Sequence, residues 1–164
     1  MPTPYFSFYD SPVGLLKIKS DGESITSIEF IKSEDDELDG TNEVIVKCKK
    51  QLDEYFNGNR SVFDLPLNPA GTEFQKKVWA IVRSIPFSET SSYLTIAKLL
   101  GNEKLTRAVG LANGANPIPI IIPCHRVIGK NKRLTGYSGG IDKKRWLLLH
   151  EMKNSPKAGK QLLF

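Results

Sequence analysis

The 164 residues, 40% of them hydrophobic, suffice for one ordinary domain or two small ones with a real core. No apolar run approaches the roughly 20 residues of a membrane span, and Met1-Pro2-Thr3-Pro4 lacks the basic flank and apolar stretch of a signal peptide, so a cytoplasmic protein without membrane contact is expected. The formal charge of +5 divides unevenly: residues 1–64 hold 7 Lys/Arg against 13 Asp/Glu, a net of −6, and residues 65–164 hold 16 against 5, a net of +11.

Residues 5–9, 14–19 and 24–31 read as short strands, with Asp21-Gly22 as a hairpin turn. The acidic stretch 33–40 reads as a loop. Asn42 can cap a helix whose apolar positions Val44, Ile45, Cys48, Leu52, Tyr55 and Phe56 share a face and which ends before Gly58, so Cys48 belongs to a core. Residues 60–63 are expected to return as another strand, completing a small acidic α+β domain over 1–64. Two prolines and a glycine then interrupt both periodicities and mark 65–71 as a linker.

Helical signals dominate downstream. Thr72-Glu73-Phe74-Gln75 fits a capping box opening a helix to about Ser84, with Phe74, Val78, Ile81 and Val82 inward, and Pro86 stops it. Ser92 can cap a second helix over 93–100, closed by Gly101, and Asn102 a third over about 103–113. Two short helices around a Gly-Asn turn resemble a helix-turn-helix whose second helix carries Lys104 and Arg107. Most such pairs are only packing units; beside a net of +11 the pattern points to a polyanion. Asp142 is expected to cap a last helix through His150-Glu151, leaving 152–164 as a loose tail. The fold class is therefore α+β: a small N-terminal α+β domain with a short antiparallel sheet, then a basic, mainly helical domain over 72–151 that contains the helix-turn-helix.

Chemistry concentrates in Pro123-Cys124-His125-Arg126-Val127, where a thiol stands beside an imidazole and a guanidinium. A thiol must lose its proton to act as a nucleophile, and cations or a neighbouring base supply that change. The two cysteines, Cys48 and Cys124, and two histidines, His125 and His150, show no C-x2-C spacing, so no metal is expected.

The blocks Arg107-Ala108-Val109-Gly110, Asn113 to Gly129 around Pro-Cys-His-Arg-Val, Tyr137-Ser138-Gly139-Gly140 and Trp146-Leu147-Leu148-Leu149-His150-Glu151 resemble the O6-alkylguanine-DNA alkyltransferases, in the bacterial stand-alone form. The resemblance spans about Thr72 to Glu151 and implies irreversible transfer of an alkyl group from O6-alkylguanine, and from O4-alkylthymine, in double-stranded DNA to Cys124, without a cofactor. It implies that His125 deprotonates Cys124 through a water while Glu151 polarises the imidazole, that Tyr93 donates to guanine N3, and that Asn116 holds the turn before the active-site strand. It implies further that the backbone of Cys124 and Val127 meets the guanine edge, that the Ser138 amide meets O6, and that Pro119 and Tyr137 belong to the pocket. Because O6 is hidden in a duplex, the nucleotide must be extruded at a cost of a few kcal/mol. By resemblance Arg107 fills the vacated stack from the minor groove, with small Ala108 beside it. No dimerisation signal is seen in the sequence, and a monomer is expected. Read without the resemblance, Arg107 is a solvated helix residue, Tyr93 a packing residue and Glu151 an exposed helix-end carboxylate.

Three other classes compete. A lesion binder that marks alkylguanine without repairing it needs no acceptor cysteine, and Cys124 argues against it. A cysteine hydrolase using Cys124 and His125 needs a second activated water and usually a histidine distant in sequence, for which only His150 is available. A helix-turn-helix regulator needs no thiol and usually needs a dimer.

Overall fold

A computed structural model of the chain describes residues 5–34 and 40–156. β1 (Tyr5–Ser11), β2 (Gly14–Ser20) and β3 (Ile25–Ile31) form an antiparallel sheet in the order β1-β2-β3. Pro12-Val13 turns between the first two strands. Asp21 shapes the next turn, its carboxylate accepting from the backbone of Glu23 (3.0 Å) and Ser24 (2.8 Å). Alternation decides the faces: Leu16, Ile18 and Ile28 are at most 2% exposed, whereas Lys17 lies over the Phe6 and Phe8 rings. The core face is covered by α1 (Glu43–Phe56), capped by Asn42 as expected, whose inward residues are Ile45, Cys48, Gln51, Leu52 and Tyr55.

Residues 60–63 are not a strand, contrary to the sequence expectation. Side chains bind the backbone in and just after this stretch instead: Arg60 binds the Val62 carbonyl (2.7 Å), and Gln51 makes both hydrogen bonds to the backbone of Asp64 (2.9 and 3.0 Å). The edge of β3 is met by the next segment, where the Ile25 N–H donates to the Pro66 carbonyl and Asn68 N–H to the Ile25 carbonyl. The expected acidic loop lies partly outside the described residues, as does most of the expected tail; Ser155, within that tail, is buried.

The chain divides into two compact units, one of Met1–Ala70 with Pro117–Pro119, the other of Gly71–Asn116 with Ile120–Phe164. In the second, α2 (Glu73–Arg83) opens on the full capping box of Thr72 and Gln75. It buries Val78, Val82 and also Trp79, whose indole N–H donates to the Ala112 carbonyl (2.7 Å). β4 (Ser91–Ser92) leads into α3 (Tyr93–Leu99), capped by the Ser92 hydroxyl. The third expected helix is broken: residues Glu103–Leu105 form a 3-10 turn capped by Asn102, and α4 (Thr106–Gly114) follows. The Thr106 hydroxyl binding the Glu103 carbonyl (2.6 Å) stabilises that tighter turn.

β5 (Val127–Ile128) pairs in parallel with β4, so the entry to α3 runs beside the residues that follow Cys124. α5 (Ile141–Lys153) closes the unit. Its cap is Gly140, not Asp142: the chain enters with Gly140 at φ +99°, which favours glycine, and Asp142 falls in the first turn, where it offers only its charge. No helix among the described residues is long and apolar enough to cross a membrane.

Candidate active site

Cys124 begins a 3-10 turn, Cys124–Arg126, at the end of the apolar run that follows α4. Two asparagines shape its approach. Asn116 donates to the Ile122 carbonyl (2.8 Å), bracketing the intervening segment, and Asn113 donates to the Cys124 carbonyl (3.2 Å). Between them Ile120 is fully buried at φ +75°, a left-handed conformation that costs a β-branched residue about 1–2 kcal/mol.

The thiol is only 4% exposed. Burial pushes it up to about 11, opposed by hydrogen bonding from Asn116, by the Lys144 charge and by backbone N–H groups.

His125 is completely buried, with Nε2 2.6 Å from Glu151 Oε2. Burial lowers the imidazole pKa against the opposing pull of Glu151, so the ring is neutral near pH 7. A carboxylate accepts only, which assigns the proton to Nε2 and leaves the lone pair on Nδ1. Nδ1 is buried and has no hydrogen-bond partner among the described residues.

Glu151 is equally buried and gathers three more donors: Arg126 Nε (2.8 Å) and Nη2 (3.1 Å) in a forked pair, and the Ser88 N–H (3.1 Å). Burial alone would raise its carboxyl pKa; His125 and Arg126 instead hold it well below the usual carboxylate range. Arg126 spends its remaining terminal nitrogen on the Ile85 carbonyl (2.7 Å) and lies against the Phe87 ring. Ser88 makes its contact from φ +66°.

α5 carries a second buried charge two turns earlier. Lys144 is 0% exposed and donates to the carbonyls of Val127 and Thr135, both at 2.7 Å. Burial brings its ammonium down to about 8, with Cys124 pulling the other way.

The remaining expected residues take varied positions. Tyr93 starts α3, half-buried, its hydroxyl near Thr135 Oγ1 (3.2 Å) and carbonyl (3.4 Å). Arg107 is exposed on α4 with Ala108 half-buried beside it. Val127 is buried, Ser138 exposed, and the Tyr137 hydroxyl is pushed well above its usual pKa by burial and then by Cys124 and Glu151. Pro119 is buried in the short segment that groups with the N-terminal unit. The Cys124 carbonyl already accepts from both Asn113 and the Val127 N–H, which fills its two lone pairs.

Sequence reasoning took Arg126 only as a cation beside the thiol, and missed Lys144, Asn113 and Ser88 as parts of this arrangement. One signal was present: Lys144, Leu147, Leu148 and Glu151 fall at the spacing of a buried helical stripe, with charges where apolar residues are expected. Among the described residues no cluster of His, Cys, Asp and Glu could hold a metal ion.

Comparison with known proteins bears on this geometry. Residues 5–69 match the family profile described as "6-O-methylguanine DNA methyltransferase, ribonuclease-like domain", and residues 73–153 the one described as its "DNA binding domain". A methylated-DNA–protein-cysteine methyltransferase of Methanosarcina acetivorans is 45% identical over 149 residues, covering 88% of this chain and 96% of that protein. One from Haemophilus influenzae is 46% identical over 158 residues, covering 90% and 86%. The crystal structure of Mycobacterium tuberculosis O6-methylguanine methyltransferase superposes with a TM-score of 0.84 at 40% identity, covering 94% of this chain and 96% of that one. A structure of the M. tuberculosis OGT in complex with DNA gives 0.83 at 41% identity over the same shares.

Proposed function

Because the chain belongs to the 6-O-methylguanine DNA methyltransferase family, whose reaction is DNA repair by transfer of an alkyl group to a protein cysteine, we propose that Cys124 is the acceptor. Its substrate is O6-alkylguanine in double-stranded DNA, with O4-alkylthymine as a second. The observation that carries the assignment is the fully buried His125–Glu151 contact of 2.6 Å next to the thiol. It fixes the imidazole tautomer so that Nδ1, not Nε2, is the base.

The step balances without a co-reactant. His125 Nδ1 takes the thiol proton through a water, Cys124 Sγ attacks the alkyl carbon, and the C–O6 bonding pair leaves with the guanine. The leaving base gains a proton in exchange, and Tyr93 donates a hydrogen bond at N3 to ease the developing charge. The products are guanine and a thioether, which does not hydrolyse under mild conditions, so each molecule acts once. Glu151 stabilises the imidazolium that forms, and Arg126 keeps Glu151 ionised for that purpose. With the Cys124 carbonyl filled, the Val127 carbonyl is the better acceptor for the base edge, with the Ser138 amide at O6 and Pro119 and Tyr137 as pocket walls.

Reaching O6 requires extrusion of the nucleotide. Arg107, exposed on α4 beside small Ala108, suits the vacated stack when α4 enters the minor groove. Recognition then rests on phosphates and shape, which accepts any surrounding sequence. Asn116 preserves the approach to Cys124, and the chain works as a monomer.

The test is intact mass after mixing with duplex DNA carrying one O6-methylguanine. A gain of one methyl per chain, mapped to Cys124 and abolished by Cys124→Ala, is expected. Repeated turnover, or DNA binding with no mass change, would overturn the proposal.

A further inference from the structure

The charges inside this site do not cancel before reaction. Arg126 and Glu151 neutralise each other, and His125 is neutral. Lys144 is fully buried, yet both of its hydrogen-bond partners are carbonyls. Buried cations are normally paired with an anion. The group around it that can become one is Cys124, whose charge and that of Lys144 each favour the other.

Lys144 also bridges two points of backbone. The Val127 carbonyl follows the Cys124 turn directly, and Thr135 is the residue whose hydroxyl and carbonyl meet the Tyr93 hydroxyl. One ammonium therefore ties β5 to the segment that contacts Tyr93, from a helix whose other buried charge, Glu151, holds His125.

Resting on the assignment of Cys124 as alkyl acceptor, we propose that Lys144 is a positioning residue for the transfer: its buried ammonium is the countercharge of the Cys124 thiolate, and its two carbonyl contacts fix Val127 and the Thr135 partner of Tyr93. The electrostatic cycle is closed by the reaction itself. Before proton transfer the site carries one excess positive charge; once the thiol proton has moved to His125 and on to bulk water, thiolate and ammonium cancel. The titratable and charged groups around the pair are His125 and Arg126 in the Cys124 turn, Tyr137 in the following loop and Glu151 on α5, and among these described groups Lys144 alone adds a positive charge that no carboxylate offsets.

The test measures single-turnover transfer from an O6-methylguanine duplex against pH, in the full chain and in Lys144→Met and Lys144→Gln. Lys144→Gln keeps N–H donors for the carbonyls without the charge. Both variants are expected to reach one methyl per chain, but with the rising limb of the pH profile moved up by about one unit, which is about tenfold slower at pH 7. A profile that coincides with that of the unaltered chain would overturn the proposal, as would a rate loss in Lys144→Met that Lys144→Gln fully restores without a pH shift, since that assigns Lys144 to packing alone. Failure of the unaltered chain to gain a methyl would overturn the acceptor assignment instead, and the two failures are thus distinguished. Should neither variant fold by near-ultraviolet circular dichroism, the reciprocal measurement decides. Carbon-13 NMR of labelled lysines should show the most acidic lysine titrating higher in Cys124→Asp, which puts a carboxylate where the thiolate would stand, than in the unaltered chain, and identical titrations would refute the coupling.

Discussion

Removing the guanidinium of Arg126 tests whether the buried carboxylate of Glu151 depends on it. Arg126→Met keeps most of the aliphatic stem and deletes two donors to Glu151 and one to the Ile85 carbonyl. Breaking a buried ion pair on one side costs about 3–5 kcal/mol, because the remaining charge is left uncompensated. An orphaned carbonyl adds about 1 kcal/mol. His125 and Ser88 still hold Glu151, which places the total near the lower half of that sum, about 4 kcal/mol, or close to a thousandfold in the unfolding constant. Both tryptophans, Trp79 and Trp146, lie in the second unit, so urea denaturation followed by tryptophan fluorescence reports on the unit that contains the pair. The midpoint should fall with little change in slope. Glu151→Gln should be costly for the mirror reason, and Arg126→Met/Glu151→Gln together should cost about 2–3 kcal/mol less than the two separate losses combined. Strict additivity, or a single-variant loss under about 1 kcal/mol, would show that Arg126 does not compensate Glu151.

Acid should weaken the same unit in two stages. His125 and Glu151 both have native pKa values below their unfolded ones, so the unfolded chain takes up their protons first and stability falls with pH: from about 6.5 downward for His125 and from about 4.5 for Glu151. Each contributes up to about 1.4 kcal/mol per pH unit, and a urea midpoint that stays level from pH 7 to 5 would contradict this. Gly71→Ala should cost about 1–3 kcal/mol, because a Cβ there would overlap the Trp79 ring at Cη2. A changed Trp79 emission with an unchanged midpoint would mean the ring moves aside freely.

How far the sequence carried the description depends on the range of the interaction. The helix starts at Asn42, Thr72 and Ser92 were legible because each cap is a bond to a backbone N–H three residues on. Asp142 failed on the same logic, since the conformation of Gly140, set by the turn before it, moved the helix start back by two residues. The stretch 60–63 has strand-like composition, but the residue that follows it, Asp64, has its backbone paired by the Gln51 side chain 13 residues away, not by a neighbouring strand. The pairing of His125 with Glu151 was legible only through family resemblance. Arg126 was misjudged because its partners lie 25 residues ahead and 41 behind, and nothing in local spacing announces either.

The burial of Cys124 has a consequence for the time before any DNA is met. A protein that spends its cysteine once must keep that cysteine intact while it waits, and oxidants and electrophiles attack thiolates, not thiols. A thiol pushed up by burial and 4% exposed rests mostly as the thiol at pH 7. On the proposed assignment such a site trades readiness for shelf life: the sulfur rests protonated and shielded until the neighbouring imidazole takes up its proton.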